Sequence, residues 1–238
     1  MSSRLTKAIT PFDNQKCENN TPLPTMPSNY GIFGKKGCSK TTLMLTLISK
    51  PESPWYKAFN LIFLISPTAS RDNKLKDLVE DLYSQGQFYN ELNDIVLIDI
   101  MAKIDAKKNQ IKSKKKKEEF QACVIYDDCI AQVKNCKMLQ EITIQNRHLK
   151  IYNIFLLQKW NTYLPPLVRC NLDLISIFHS DNRKEVDSFI EEIGYNEDIL
   201  RAFYEFSTKE QYSFLHINMY SLPIKFYKKF DEIEFKKK

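Results

Sequence analysis

Glycine is scarce in this sequence, with five residues in 238. Two of them, Gly34 and Gly37, stand close together just ahead of an apolar stretch. Long apolar runs are missing as well. The best candidate, residues 58–65, is far short of the roughly 20 residues a membrane-crossing helix needs. The start, MSSRLTKAITPF, has no apolar core of the kind that directs secretion. The expectation is a soluble protein that stays where it is made and meets no membrane. The six cysteines, Cys17, Cys38, Cys123, Cys129, Cys136 and Cys170, form no CxxC pair and have no histidine at finger spacing. That speaks against a zinc site and, without an export signal, against a disulfide framework. His148, His179 and His216 stand apart and suggest no ligand cluster.

With 43% hydrophobic residues, the chain can bury a good core as one globular domain with short extensions. Its net charge of +6 hints at a polyanionic partner. The distribution says more, because Lys103, Lys107, Lys108, Lys112 and Lys114 to Lys117 crowd one segment. Such a segment can grip a DNA backbone through counterion release, or be no more than a solvated insertion.

Residues 1–28 are polar and rich in proline and read as a loosely ordered lead-in. Residues 29–220 read as the folded domain and 221–238, with KFYKKF, as a basic aromatic tail. Within the domain, FNLIFLISPT, DIVLIDI (94–100), ACVIYDDCI, IYNIFLLQ, LDLISIF and YSFLHIN are read as strands. Helices are expected over TTLMLTLIS, over DNKLKDLVEDLYSQG, which Gly86 closes, along the lysine-rich segment, ahead of residue 151 and over 182–193. Short, β-branched apolar runs suit a parallel sheet covered on both faces. Alternation with helices gives an α/β, doubly wound, mostly parallel fold.

The stretch GKKGCSKT (34–41) fits Gly-x-x-x-x-Ser-Lys-Thr, one residue from the phosphate-loop pattern Gly-x-x-x-x-Gly-Lys-Ser/Thr. In such a loop, successive backbone N–H groups turn inward onto phosphate oxygens and the following helix adds its positive end. The binding segment is Gly34, Lys35, Lys36, Gly37, Cys38, Ser39, Lys40, Thr41 and Thr42. Lys40 reaches the terminal phosphates and Thr41 holds Mg²⁺ with its hydroxyl. Ser39 carries a Cβ, so a left-handed backbone there costs about 1–2 kcal/mol. Asp127 ends the apolar run CVIYD, where a carboxylate holds Mg²⁺ through water. Asp128 follows and is placed to take a proton from the attacking water. Gln158 ends the next run, the position from which an amide can bond the γ-phosphate or the water. Each has a plainer reading: a turn before a helix, a capped helix start, a solvated strand end. The guanine-reading pattern Asn-Lys-x-Asp is absent, since NKLKD (73–77) has the wrong spacing, so ATP is favoured over GTP.

The order GKKGCSKTT, IFLISPT, VIYDDC, NRHLKIYNIFLLQK, LPPLVRCNLDLISIF resembles the FtsK–HerA superfamily of P-loop ATPases, the additional-strand catalytic-carboxylate type. Within it the chain is most similar to the genome-packaging ATPases of large DNA viruses and their smaller relatives, the poxvirus and virophage type. The likeness runs from about residue 30 to 178, with NRH and LPP…R.N.D as its marks. It implies ATP and Mg²⁺, with Lys40 and Thr41 on the phosphates and metal, Asp127 on the metal, Asp128 activating water and Gln158 sensing the γ-phosphate. Arg147 falls where members carry an arginine that reaches a neighbouring subunit's nucleotide, with Arg169 the next candidate. The resemblance further implies an ATP-driven translocase of double-stranded DNA, a homo-oligomeric ring (pentamer or hexamer) and viral capsid proteins as partners. Its place would be the virion or the virus assembly site in the host-cell cytoplasm. The chain departs from the pattern at Ser39, where glycine is usual, and at Asp128, where many relatives have Glu. A segregation or conjugation motor of the same superfamily, and a non-hydrolysing nucleotide- or nucleic-acid-binding scaffold, are the alternatives.

Overall fold

The computed structural model describes residues 21–113, 120–129, 136–161 and 164–234. Strand β1 (Asn29–Phe33) leads into helix α1 (Lys40–Ser49). Next come β2 (Leu61–Ile65), a 3-10 turn (Ala69–Arg71), α2 (Lys76–Ser84) and the short β3 (Phe88–Tyr89). Helix α3 (Asp94–Ser113), β4 (Ala122–Asp127), α4 (Lys137–Leu149) and β5 (Ile151–Leu157) form the middle of the chain. The remainder is α5 (Pro166–Arg169), β6 (Leu174–Phe178), α6 (Arg183–Ile193), α7 (Glu197–Thr208), β7 (Phe214–Asn218), β8 (Lys225–Lys228) and β9 (Asp231–Ile233).

Among the described residues the nine strands form one sheet in the order β3-β2-β4-β5-β1-β6-β7-β8-β9. The first six strands are mutually parallel. The last three are antiparallel to their neighbours. The central strands β1, β5 and β6 are buried along their whole length, which is why β5 and β6 read as largely apolar runs. Met44 and Leu47 of α1 and Leu82 of α2 pack on one face, against Tyr30, Ile32, Ile125 and Ile154. Leu97 and Ile100 of α3, Ile142 of α4, Phe189 of α6 and Phe203 of α7 cover the other, against Phe33, Val124 and Phe155. The doubly wound, mostly parallel architecture is therefore as the sequence implied.

DIVLIDI is corrected: it is the first two turns of helix α3, not a strand. Leu97, Ile100 and Ile104 recur at helical spacing and are fully buried, whereas Ile95 and Ile98 are 78% and 56% exposed. The Asn93 side chain accepts the Val96 N–H and starts the helix. The sheet also runs past residue 220 into the stretch read as a tail, where Phe226 and Tyr227 of β8 are buried. At the other end, the last part of the lead-in is tied down: Leu23 and Met26 are buried, and the Pro22 carbonyl meets the His216 ring.

Candidate nucleotide-binding site

Because β4, β5 and β1 are neighbours in a parallel sheet, their C-terminal ends open on the same edge. Loops after adjacent parallel strands converge there, which makes this edge the natural ligand site of the fold. The loop Gly34–Ser39 leaves β1 at this edge, Asp127 is the last residue of β4, and Gln158 directly follows β5.

The loop backbone is fixed by its small residues. A Cβ on Gly34 would stand 2.6 Å from the Cys38 sulfur and 2.8 Å from Phe178, so only glycine fits that close approach. Gly37 has φ +82° and Ser39 φ +83°, so the serine does adopt the left-handed conformation expected of it. Its carbonyl accepts the Leu43 N–H at 2.9 Å, closing the first turn of α1 and holding the strained residue in place. The Lys40 ammonium lies along the loop, donating to the carbonyls of Gly34 (2.6 Å) and Lys35 (3.2 Å).

Across from Lys40 stand the two carboxylates. Asp127 accepts a hydrogen bond from the Ser66 hydroxyl at 3.0 Å. Its pKa is pushed up to about 6, first by burial and further by the Asp128 charge, against the pull of Ser66 and Lys40. Asp128 has φ +52°, a second non-glycine residue in the left-handed region, and its carboxylate accepts from the Gln158 amide at 2.9 Å. Lys36, Gly37, Ser39, Lys40, Thr41, Asp127, Asp128 and Gln158 all line one cleft of about 620 Å³, within the range of small-ligand sites. The cleft brings together most of the residues singled out in sequence. Thr41 and Asp127 offer it only oxygen donors, and no cluster of three His, Cys, Asp or Glu able to hold a metal occurs among the described residues. One carboxylate and one hydroxyl suit Mg²⁺, which keeps several waters and shares phosphate oxygens, better than a transition metal.

Other positions lie elsewhere. Lys35 turns outward to pair with Asp181 at 2.8 Å. Thr42 receives the Lys74 ammonium at 3.3 Å. Arg147 lies at the opposite end of the sheet: it pairs with Asp173 at 3.1 Å and stacks on Tyr220, and the Asp173 carboxylate also takes the N–H of Asn29, the first residue of β1. Five residues of strand, roughly 16 Å, separate that end from the loop. The structure therefore keeps Arg147 out of its own chain's cleft. Arg169 pairs with Glu192 at 2.8 Å. In the lysine-rich segment, Lys103 bonds Tyr89 and Asp99, and Lys108 lies over Phe120, while Lys114 to Lys117 fall outside the described residues.

Sequence reasoning passed over Ser66, Thr68, Arg71, Asp72 and Lys74. Ser66 bonds Asp127, and the other four line the cleft. The signal was present in SPTASRDNK, which follows a parallel strand just as YDD and Gln158 do.

This sheet order, with a phosphate-loop pattern and a strand-end carboxylate pair on one edge, is the fold of the P-loop NTPases of the FtsK–HerA type. The model of the poxvirus A32 protein family matches residues 17–216, and the chain belongs to that family. No curated protein matches it. Among solved structures, B204, the DNA-packaging ATPase of Sulfolobus turreted icosahedral virus, is similar at 20% identity and TM-score 0.58, over 86% of this chain and 98% of that one. The genome-packaging NTPase B204 of Sulfolobus turreted icosahedral virus 2, in complex with ATP-gammaS, is similar at 20% identity and TM-score 0.52, over the same shares. The conjugation coupling protein TcpA of pCW3, with ATPgS, is similar at 10% identity and TM-score 0.53, over 89% of this chain and 60% of that one. At these identities the likeness concerns the fold.

Proposed function

We propose that the protein is an ATPase that translocates double-stranded DNA and packages a viral genome. The observation that carries this reading is the convergence of the phosphate loop, Asp127, Asp128 and Gln158 on one cleft, in a chain of the A32 family. Within that cleft Lys40 exchanges its two loop carbonyls for β- and γ-phosphate oxygens, while the loop N–H groups cradle the chain of phosphates. Thr41 and Asp127 would hold Mg²⁺, which supplies neutralisation of the phosphate charge. Asp128 accepts the proton of the attacking water, and the Gln158 amide, already bonded to that carboxylate, fixes where it points.

The same reading takes the motor to be a homo-oligomeric ring around double-stranded DNA, docking on viral capsid proteins where virus particles assemble. The net charge of +6 supports a polyanionic partner. No described helix is long and apolar enough to cross a membrane. The test is ATP hydrolysis with and without double-stranded DNA. Turnover that rises with duplex DNA supports a motor; turnover indifferent to DNA, or none, overturns it.

A further inference from the structure

The connection between β2 and α2 carries two cations that the loop and its carboxylates do not account for. Arg71 and Lys74 line the same cleft as Lys40, Thr41, Asp127 and Asp128. Their connection is a stiff bracket and not a floppy loop. Ala69 and Leu75 are buried at its two ends, 1% and 0% exposed. The Ser66 hydroxyl accepts the Ala69 N–H at 3.0 Å and donates to Asp127, so the bracket is tied to the end of β4. Inside it, Arg71 N–H bonds the Thr68 carbonyl, Asp72 N–H the Ala69 carbonyl, and Leu75 N–H the Asp72 carbonyl. The Asp72 carboxylate takes the Lys74 N–H at 2.9 Å.

What the bracket presents is charge aimed at the cleft. Lys74 already reaches across to α1, its ammonium 3.3 Å from the Thr42 hydroxyl. Among the described residues Arg71 makes no side-chain hydrogen bond or ion pair, and it is exposed, although Asp72, Asp127 and Asp128 line the same cleft. A guanidinium left unpaired on a rigid support, beside a phosphate loop, is preorganised for planar, bidentate contact with phosphate oxygens. The two arginines singled out for the reaction are already held, Arg147 by Asp173 at the far end of the sheet and Arg169 by Glu192.

We propose that Arg71 is a catalytic residue acting in cis: its guanidinium contacts the terminal phosphate of the nucleotide bound by its own chain, with Lys74 beside it on the phosphate chain. No bond is made or broken at Arg71; it offsets charge that develops on the transferring phosphoryl group as water attacks. The proposal rests on the ATPase reading above. It also assigns the β2–α2 bracket the task of sensing whether that last phosphate is present, because ADP leaves Arg71 without a partner.

The experiment measures kcat, and the affinities for ADP and for a non-hydrolysable ATP analogue, in wild type, Arg71→Ala and Arg71→Lys. Circular dichroism confirms the fold, which an exposed substitution leaves intact. Arg71→Ala is expected to lose on the order of 10³ in kcat, the low end of the range known for arginines supplied to phosphoryl transfer. It should bind the analogue more weakly, bind ADP as wild type does, and be partly rescued by Arg71→Lys. A mixture with Lys40→Ala subunits separates cis from trans action: a cis residue gives no activity beyond the sum of the parts. Wild-type kcat in Arg71→Ala, or equal loss of ADP and analogue binding, overturns the assignment. So does recovery in the mixture, which would put Arg71 over a neighbour's nucleotide. If instead the wild-type chain fails to hydrolyse ATP, the ATPase reading itself falls, and the proposal with it.

Discussion

The Gln158 amide donates to the Asp128 carboxylate at 2.9 Å, joining the ends of two adjacent parallel strands, β5 and β4. Asp128 is held in a left-handed backbone conformation, φ +52°, which aspartate and asparagine tolerate better than most non-glycine residues. On the proposed reading, this is where the attacking water gives up its proton.

Asp128→Asn keeps the size of the side chain and the left-handed tolerance but removes the base. The expected result is unchanged ATP and Mg²⁺ binding, since Asp127 still serves the metal, with hydrolysis lower by about 10²–10⁴-fold. Isothermal titration beside phosphate release measures both halves. Normal hydrolysis by Asp128→Asn would place the base elsewhere.

Ser39→Gly tests whether the departure from the usual loop pattern has any cost. The serine sits at φ +83°, where a Cβ is strained by about 1–2 kcal/mol. Glycine should leave ATP affinity equal or improve it by up to roughly tenfold, the equivalent of about 1.4 kcal/mol. A large loss of affinity would show that the Ser39 hydroxyl has a role of its own.

Much of this was legible in the residues. Apolar runs gave β2, β4, β5 and β6, because strands buried on both faces have no polar side to hide. The left-handed Ser39 followed from motif register alone. DIVLIDI failed because an apolar run this short fits a strand and a buried helix turn equally well; only the packing of Leu97, Ile100 and Ile104 separates them. Strand β8 was hidden by its lysines, Lys225 and Lys228, which flank the buried Phe226 and Tyr227 at the sheet's antiparallel end. The bracket Ser66 to Lys74 was missed because its residues match no motif and act through position.

His216 gives the protein a pH dependence of stability that the cleft does not share. The ring is fully buried, bonded to Ser176 and to the Pro22 carbonyl, and burial lowers its pKa to about 4. In the unfolded chain it titrates near 6.5, so the unfolded state takes up the proton first as pH falls. Its contribution is therefore complete above about pH 6.5 and lost progressively down to about 4, amounting to about 3 kcal/mol. Asp127, raised to about 6, works in the opposite sense over part of that window. The readout is consequently the difference in denaturant stability between wild type and His216→Gln at pH 7 and pH 4.5. That gap should narrow at the lower pH; a constant gap would contradict the assignment.

Arg147 tests the ring. It is paired with Asp173 yet its side chain is 47% exposed, so on the proposed ring reading it can face a neighbouring subunit. Arg147→Ala subunits should bind ATP without turnover when assembled alone and regain part of the activity when mixed with Lys40→Ala subunits. No recovery across mixing ratios, with co-assembly confirmed, would leave Arg147 a structural partner of Asp173.

The most direct measurement is phosphate release at saturating ATP and Mg²⁺ from wild type and Lys40→Ala side by side, with circular dichroism spectra of both. The Lys40 ammonium lies along the loop, donating to two of its carbonyls, and on the proposed reading it meets the β- and γ-phosphates. The account predicts steady turnover by the wild type and none above background by a properly folded Lys40→Ala protein. Equal turnover by the two would mean that the loop at Gly34–Thr41 is not the nucleotide site.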